Sequence, residues 1–327
     1  MIAPLAKFID WCGLQAASVF LISARECDRS NSRLAEAVAF LNGPDFLSAE
    51  SKPAQLEFTS DLNFKFPSPR RCEFSENNVV HGRLYRCADA WQEKPGLILL
   101  HGGGNFPGHQ LRFQWLARHC HRAGLNVATL QLPYHFQRRV RRMESFDHLR
   151  LAEAFAQAIA EIRALTGWLL GQGCPSVALF GVSLGGWLAG LAATRDPRFN
   201  AVVMVVPNVR TNCRTTRGEG FLWPPVRKAF ERQKTAHEAL DQTRINLTVS
   251  QPVIPKENIL LLQARYDLFL EPENNEELWQ KWGRPEIWRL PQGHITTVLV
   301  PGLTRRALHW LMPRLNTNTV RTRNKLA

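Results

Sequence analysis

Short apolar runs alternate with longer segments of helical periodicity between residues 79 and 315 of this chain. Continuous apolar runs, such as Gly96–Leu100 and 201–206, are typical of strands that are buried on both faces. Between them, apolar residues recur every three or four positions, as they do on one face of a helix. Strands that alternate with helices favour a mostly parallel sheet with helices on both faces. The sequence therefore predicts an α/β fold.

The same periodicities predict the bounds of the elements and domains. Strands are expected at 79–86, 96–100, 126–130, 176–180, 201–206, 258–262 and 286–290. Helices are expected at 111–123, 145–170, 186–193, 271–282 and 303–315. We assign residues 1–75 to an N-terminal helical or irregular extension and residues 76–315 to the α/β domain. Within that domain, about 207–257 form a cap insertion without a buried strand, and 316–327 are predicted to be a basic, flexible tail.

The chain carries a net charge of +13. Such an excess makes nucleic acid, anionic lipid and an anionic substrate candidate partners. However, Lys and Arg are spread along the chain, and no nucleic-acid recognition motif is present. We therefore expect a small-molecule substrate, anionic or lipid-like as alternatives, and no nucleic-acid partner. The oligomeric state is not predicted.

Cysteine usage and hydropathy bear on the compartment. The seven cysteines are scattered, and no two have Cys-x-x-Cys spacing, which argues against a disulfide framework and a zinc site. We therefore predict a reducing, cytoplasmic location. The uncharged stretch 11–23 is too short to span a membrane, and Asp10 interrupts what would be the start of a signal peptide. We interpret this stretch as a helix on the body or along a surface, which leaves peripheral membrane contact as an alternative.

The strongest local motif is Gly-Val-Ser-Leu-Gly at 181–185. It follows a predicted buried strand and opens a predicted helix, which is the context of the nucleophile-elbow motif G-x-S-x-G. The small residues let the chain bend sharply at Ser183. The N–H groups at the start of the helix would then face the charge that develops during reaction. The motif predicts Ser183 as a nucleophile.

A second motif, His-Gly-Gly-Gly at 101–104, directly follows the strand 96–100. With both motifs in place, residues 79–315 resemble the α/β-hydrolase superfamily, and serine esterases and lipases within it. In that superfamily, one oxyanion-hole N–H comes from the residue after the nucleophile and one from the loop after the third strand. The resemblance therefore implies Leu184 as one donor. The second donor would come from Gly103, Gly104 or Asn105.

The resemblance also indicates a base and an acid. A Gly-His pair lies in the loop after the last predicted strand, at the position where the superfamily keeps its catalytic histidine, which implies His294. Asp267 follows the strand 258–262 and precedes His294, in the superfamily's order Ser, Asp, His. Its carboxylate would fix the imidazole tautomer. Glu271 is the alternative acid, although a place near the start of the next helix also suits it.

Two segments are candidates for shaping a substrate site. The segment 132–142 leaves the sheet on the predicted catalytic side and contains four arginines, which are either a cationic rim or a solvated loop. The insertion carries apolar and basic side chains that would either line an acyl pocket or pack a cap onto the domain. The candidate substrate contacts are His101, Tyr134, Arg138, Arg139 and Trp223.

These residues predict a serine hydrolase that cleaves a carboxylic ester through an acyl-enzyme, without a metal or organic cofactor. Four alternatives stay open. The same fold also serves peptidases, thioesterases and acyltransferases, because a fold does not dictate a substrate. A non-catalytic protein that binds lipid or a polyanion is the remaining alternative, although no predicted triad residue is missing.

Overall fold

The computed structural model describes residues 2–21, 33–47, 52–87, 90–104, 107–140, 147–211, 224, 227, 231 and 233–316. The strands of this part are β1 Glu57–Phe58, β2 Asn63–Pro67, β3 Val79–Tyr85, β4 Gly96–Leu100, β5 Asn126–Leu130, β6 Val177–Val182, β7 Phe199–Val205, β8 Ile259–Ala264 and β9 Glu286–Leu290. The α-helices are α1 Ile2–Leu21, α2 Leu34–Asn42, α3 Pro107–Arg122, α4 His148–Gly171, α5 Leu184–Ala193, α6 Lys234–Asp241, α7 Pro272–Lys281, α8 His294–Thr297 and α9 Leu303–Asn316.

The described strands form one sheet in the order β1-β2-β3-β5-β4-β6-β7-β8-β9. Strands β4 to β9 run parallel to one another, and β1, β2 and β3 are added antiparallel at one edge. This mostly parallel sheet confirms the predicted α/β fold. Since β1 and β2 pair with β3, the sheet extends into residues 1–75, which the sequence analysis assigned to a separate extension.

Helices cover both faces of the sheet, and β4 shows how the two layers are built. Its side chains alternate between the faces, so Ile98 and Leu100 pack with α4 and α5, while Leu97 and Leu99 pack with α3 and α9. None of these four side chains has exposed surface. Burying each one contributes about 1.5–3 kcal/mol. A continuous apolar run is therefore required in this strand.

The insertion after β7 is described only in part. Helix α6 and the residues that follow it pack on the domain, where the indole N–H of Trp187 in α5 donates to the carbonyl of Ile245 at 2.7 Å. Most of 212–232, where the sequence predicted much of the cap, lies outside the described residues, as do 317–327 of the predicted tail. The predicted cap and tail therefore stay predictions.

The N-terminal helix α1 has one buried and one exposed face. Ala6, Asp10 and Leu14, spaced four residues apart, are buried, whereas Phe8 and Trp11 point outward with stacked rings. A charged residue thus lies in the middle of the buried stripe. Of the helices that the structure describes, none combines the length and hydropathy that crossing a membrane requires.

Candidate active site

Ser183 lies on a strained turn between β6 and α5. Its backbone has φ 53° and ψ −115°, a conformation that L-residues rarely adopt. The turn closes so tightly that a Cβ on Gly181 would lie 2.1 Å from the carbonyl oxygen of Gly185. The Ser183 N–H donates to Val205 in the neighbouring strand at 2.9 Å, which anchors the turn to the sheet. This geometry is that of a nucleophile elbow, and it presents the hydroxyl above the carboxyl ends of the strands.

The glycine loop after β4 lies directly beside the elbow. A Cβ on Gly102 would lie 3.5 Å from the Cβ of Ser183, and a Cβ on Gly103 would lie 3.7 Å from Leu184. Gly104 has φ +90°, in the left-handed region that favours glycine. Leu184 begins α5, where an N–H has no carbonyl within the helix to bind. The structure thus places Gly103 beside Leu184, two of the candidate oxyanion donors, whereas Asn105 lies outside the described residues.

A chain of hydrogen bonds joins the predicted acid, base and nucleophile. The Nδ1 atom of His294 lies 2.7 Å from Oδ2 of Asp267, and its Nε2 lies 3.0 Å from Oγ of Ser183. The other oxygen of Asp267 accepts from the N–H groups of Phe269 and Leu270 at 2.8 and 2.9 Å. The carboxylate is therefore held from both sides. It can fix the imidazole with its proton on Nδ1 and leave Nε2 to accept from Ser183.

The environment of His294 strengthens it as a base. Its side chain is 13 % exposed, and the ring of Phe269 stacks on it at a centroid distance of 4.9 Å. Burial by itself lowers the pKa of His294. The charge and hydrogen bond of Asp267, together with the charge of Asp10, outweigh that effect and raise the pKa above its ordinary value.

Glu271, the alternative acid, directly precedes α7, and its carboxylate accepts from the amide of Asn274 at 3.2 Å. It therefore lies at the start of the helix, as its sequence position also suggested. Among the described residues, no group of three or more His, Cys, Asp or Glu side chains is placed to hold a metal ion.

The structure places Arg138 away from a substrate-facing rim. Its guanidinium is fully buried and forms a two-pronged ion pair with Glu161, at 2.7 and 2.8 Å. It also donates to the carbonyls of Asn77 and Gln131. Arg138 therefore ties the loop after β5 to α4 and to the turn before β3. Arg139 beside it is exposed to solvent.

His101 and Tyr134 serve as internal contacts in this structure. His101 is buried, its Nε2 accepts from the N–H of Leu132 at 3.0 Å, and its Nδ1 lies 2.7 Å from the carbonyl of Gly102. It therefore joins the glycine loop to the loop after β5. Tyr134 packs edge-on against Phe74, and its N–H donates to Asn77. Trp223, the remaining candidate contact, lies outside the described residues.

One residue of the site had no assigned role in the sequence analysis. Asp10 of α1 is fully buried, and its carboxylate accepts from the backbone N–H groups of Leu268, His294 and Ile295. The signal available in the sequence was an acidic residue on the apolar stripe of a helix, four positions from Ala6 and from Leu14.

The fold of this chain is similar to the folds of solved esterase structures. The esterase Pf2001 of Pyrococcus furiosus superposes with a TM-score of 0.55, 16% identity, and coverage of 84% of this chain and 96% of that chain. Acetyl xylan esterase 1 from Thermoanaerobacterium sp. JW/SL YS485 superposes with a TM-score of 0.56, 14% identity, and coverage of 88% and 93%. At these identities the likeness concerns the fold.

The chain is similar in sequence to curated proteins and to a protein-family model. An uncharacterised protein of Mycobacterium tuberculosis strain H37Rv is 28% identical over 237 residues, which cover 69% of this chain and 55% of that protein. The chain thus spans about half the length of the curated relatives it matches. A sequence model described as the alpha/beta hydrolase family matches residues 97–312, a range that includes the elbow at Ser183, the glycine loop, Asp267 and His294. This chain belongs to the alpha/beta hydrolase family.

Proposed function

We propose that this chain is a serine hydrolase that cleaves a carboxylic ester through an acyl-enzyme on Ser183. The observation that carries the proposal is the continuous hydrogen-bond chain from Asp267 through His294 to Ser183, with bonds of 2.7 and 3.0 Å. A serine with a purely structural role requires neither a strained elbow nor an imidazole held by a carboxylate. Here the elbow exposes the hydroxyl, and the imidazole and the carboxylate together activate it as a nucleophile.

The geometry supports the following sequence of events. His294 Nε2 takes the proton of Ser183 as Oγ attacks the acyl carbonyl carbon, and the C–O bond forms. The carbonyl oxygen becomes an oxyanion beside the start of α5 and the glycine loop, where the Leu184 N–H and a loop N–H would donate to it. Removing one such donor typically costs about 2.7–4 kcal/mol of transition-state stabilisation.

The intermediate then collapses, and His294 returns the proton to the leaving alcohol. Water enters next, gives up a proton to His294 and attacks the acyl-enzyme, which releases the acid and restores Ser183. Asp267 stabilises the imidazolium that forms in both halves of this cycle. Every proton in the cycle thus passes through one side chain, whose position is fixed by a carboxylate.

The experiment is steady-state hydrolysis of p-nitrophenyl esters of increasing acyl length, in parallel with matched thioester and anilide substrates. We expect turnover of at least one ester. We expect Ser183→Ala and His294→Ala to lower kcat by about 10⁶-fold, and Asp267→Ala by about 10⁴-fold. Ser75→Ala, at an exposed serine distant in sequence from every triad loop, is the matched control and should keep wild-type kcat.

The substrate panel also separates the reaction types that one fold can support. Preferential turnover of thioesters or anilides would replace the ester in this proposal while retaining the triad. Ester turnover that survives Ser183→Ala would contradict the proposal itself. The solved structures that resemble this chain include proteins named as esterases, but their likeness concerns the fold, so the panel decides the substrate class.

A further inference from the structure

Asp10 joins the two loops that carry the acid and the base of the proposed triad. Its Oδ2 accepts from the N–H of Leu268 at 3.1 Å and from the N–H of His294 at 2.6 Å, and its Oδ1 accepts from Ile295 at 2.9 Å. Leu268 directly follows Asp267. One carboxylate, which belongs to α1, therefore holds the backbone next to the acid and the backbone of the base itself.

The chain is adapted to this close approach on both sides of the contact. A Cβ on Gly293 would lie 2.6 Å from Oδ2 of Asp10, so a larger residue before the histidine would displace this carboxylate. On α1, a Cβ on Gly13 would lie 2.2 Å from the side chain of Ile295. The Gly-His pair of the sequence motif thus has a partner in a distant helix.

Apolar packing of α1 is separate from these hydrogen bonds. Leu14 is buried against Leu268, and Phe269 packs beside them. This contact is between apolar side chains, so truncating Leu14 takes no charge away from His294. The two types of contact can therefore be removed independently, which provides a control.

Asp10 also acts electrostatically on the base. The groups that face His294 are Asp267 from the acid loop, Asp10 from α1 and Ser183 from the elbow, with the ring of Phe269 stacked beside it. Burial raises the pKa of Asp10, and the three backbone N–H groups partly oppose that shift. In its ionised form Asp10 raises the pKa of His294.

We propose that Asp10 is a positioning residue of the active site, which fixes the base loop to the acid loop and sets the charge around the base. The inference rests on the proposed function, because it assigns Asp10 a role through Asp267 and His294. It makes α1 part of the catalytic assembly, although this helix lies at the opposite end of the sequence from the residues it holds.

The test compares Asp10→Asn with Leu14→Ala in the 327-residue chain. Asp10→Asn keeps the shape of the side chain, but it removes the charge and places an amide NH₂ opposite a backbone N–H. We expect kcat for the best p-nitrophenyl ester to fall by about 10-fold or more with KM changed little. We also expect the acid limb of the pH profile, the fall of kcat/KM at low pH, to move to lower pH by about half a unit or more, because the lost charge no longer raises the pKa of His294. Leu14→Ala should lower stability and leave the acid limb in place.

Amide hydrogen exchange reads the same contact without any substrate. In Asp10→Asn, the amides of Leu268, His294 and Ile295 should lose protection relative to wild type and to Leu14→Ala. Wild-type protection at these amides, or an unmoved acid limb, in a folded Asp10→Asn variant would overturn the proposal. If the wild-type protein neither hydrolyses an ester nor reacts with a fluorophosphonate at Ser183, the proposed function fails. Amide exchange alone then decides whether Asp10 holds the two loops.

A second variant protects the test against a failure of Asp10→Asn to fold. Asp10→Glu keeps the negative charge and moves it by one methylene. We expect its kcat and its amide protection to fall, whereas its acid limb should keep the wild-type pH because the charge remains. An acid limb that moves in Asp10→Glu while kcat is retained would contradict the assigned role.

Discussion

The packing of Gly185 against the glycine loop gives a quantitative prediction for Gly185→Ala. A Cβ at this position would lie 2.2 Å from the carbonyl oxygen of Leu100 and 2.7 Å from that of His101. Ordinary contacts of this kind are longer by about 1 Å, and both neighbours are backbone atoms that no rotamer change can move. Either the start of α5 or the glycine loop must therefore shift by about that distance.

Such a shift separates Ser183 from the proposed oxyanion donors. We expect Gly185→Ala to lower kcat by about 10²-fold, the effect typical of a 1 Å misplacement, which corresponds to about 2.7 kcal/mol of activation free energy. Overpacking should also lower the free energy of unfolding by about 1–3 kcal/mol. The assays are p-nitrophenyl ester hydrolysis and urea unfolding followed by tryptophan fluorescence.

Gly171→Ala is the matched control for this experiment. A Cβ there would meet nothing within 4 Å, and Gly171 ends α4, where alanine suits the helix better than glycine. We expect unchanged kcat and equal or slightly higher stability. Gly185→Ala with wild-type kcat and stability would refute the argument that this contact fixes the elbow relative to the loop.

Two further predictions concern the buried ion pair and the pH dependence. Glu161→Gln leaves the fully buried Arg138 without its counter-charge and should lower the free energy of unfolding by about 3–5 kcal/mol, whereas Glu57→Gln, in the exposed pair with Lys65, should change it by less than about 1 kcal/mol. Equal urea midpoints for the two variants would contradict this account. His294 must be neutral to accept a proton, and its pKa is raised above the ordinary value of 6.5. We therefore expect kcat/KM to fall as the pH decreases, with a midpoint above 6.5. A midpoint below 6.5 would contradict the pKa shift.

The sheet was predictable because its signal is local. The strands at 96–100, 126–130 and 286–290 have the predicted bounds. At 96–100 the strand coincides with a continuous apolar run, since this central strand is covered on both faces and buried at every position. The hairpin of β1 and β2 carries no such run. β1 is exposed and the burial of β2 alternates, since the hairpin lies at an edge of the sheet, so the sequence analysis placed these residues in a helical or irregular extension.

In the candidate site, too, the residues with local sequence signals were predictable, whereas those that depend on distant partners were not. Ser183, Asp267 and His294 each follow a strand with a recognisable motif or order, and the structure brings them within hydrogen-bond distance. The roles of Arg138 and Asp10 depend on distant partners. Arg138 lies in a basic segment that reads as a solvated loop, yet Glu161 neutralises it in the interior. A local sequence pattern does not indicate which distant residue a side chain will contact.

The most direct test of the central claim is covalent labelling of the wild-type protein with a fluorophosphonate, followed by peptide mapping of the modified residue. An activated serine displaces the fluoride and becomes phosphonylated, whereas an ordinary serine does not react. We expect one modified residue, Ser183, and loss of the label in His294→Ala with the fold retained. Labelling at another residue, or none in folded wild-type protein at a concentration that labels a control serine esterase, would contradict it.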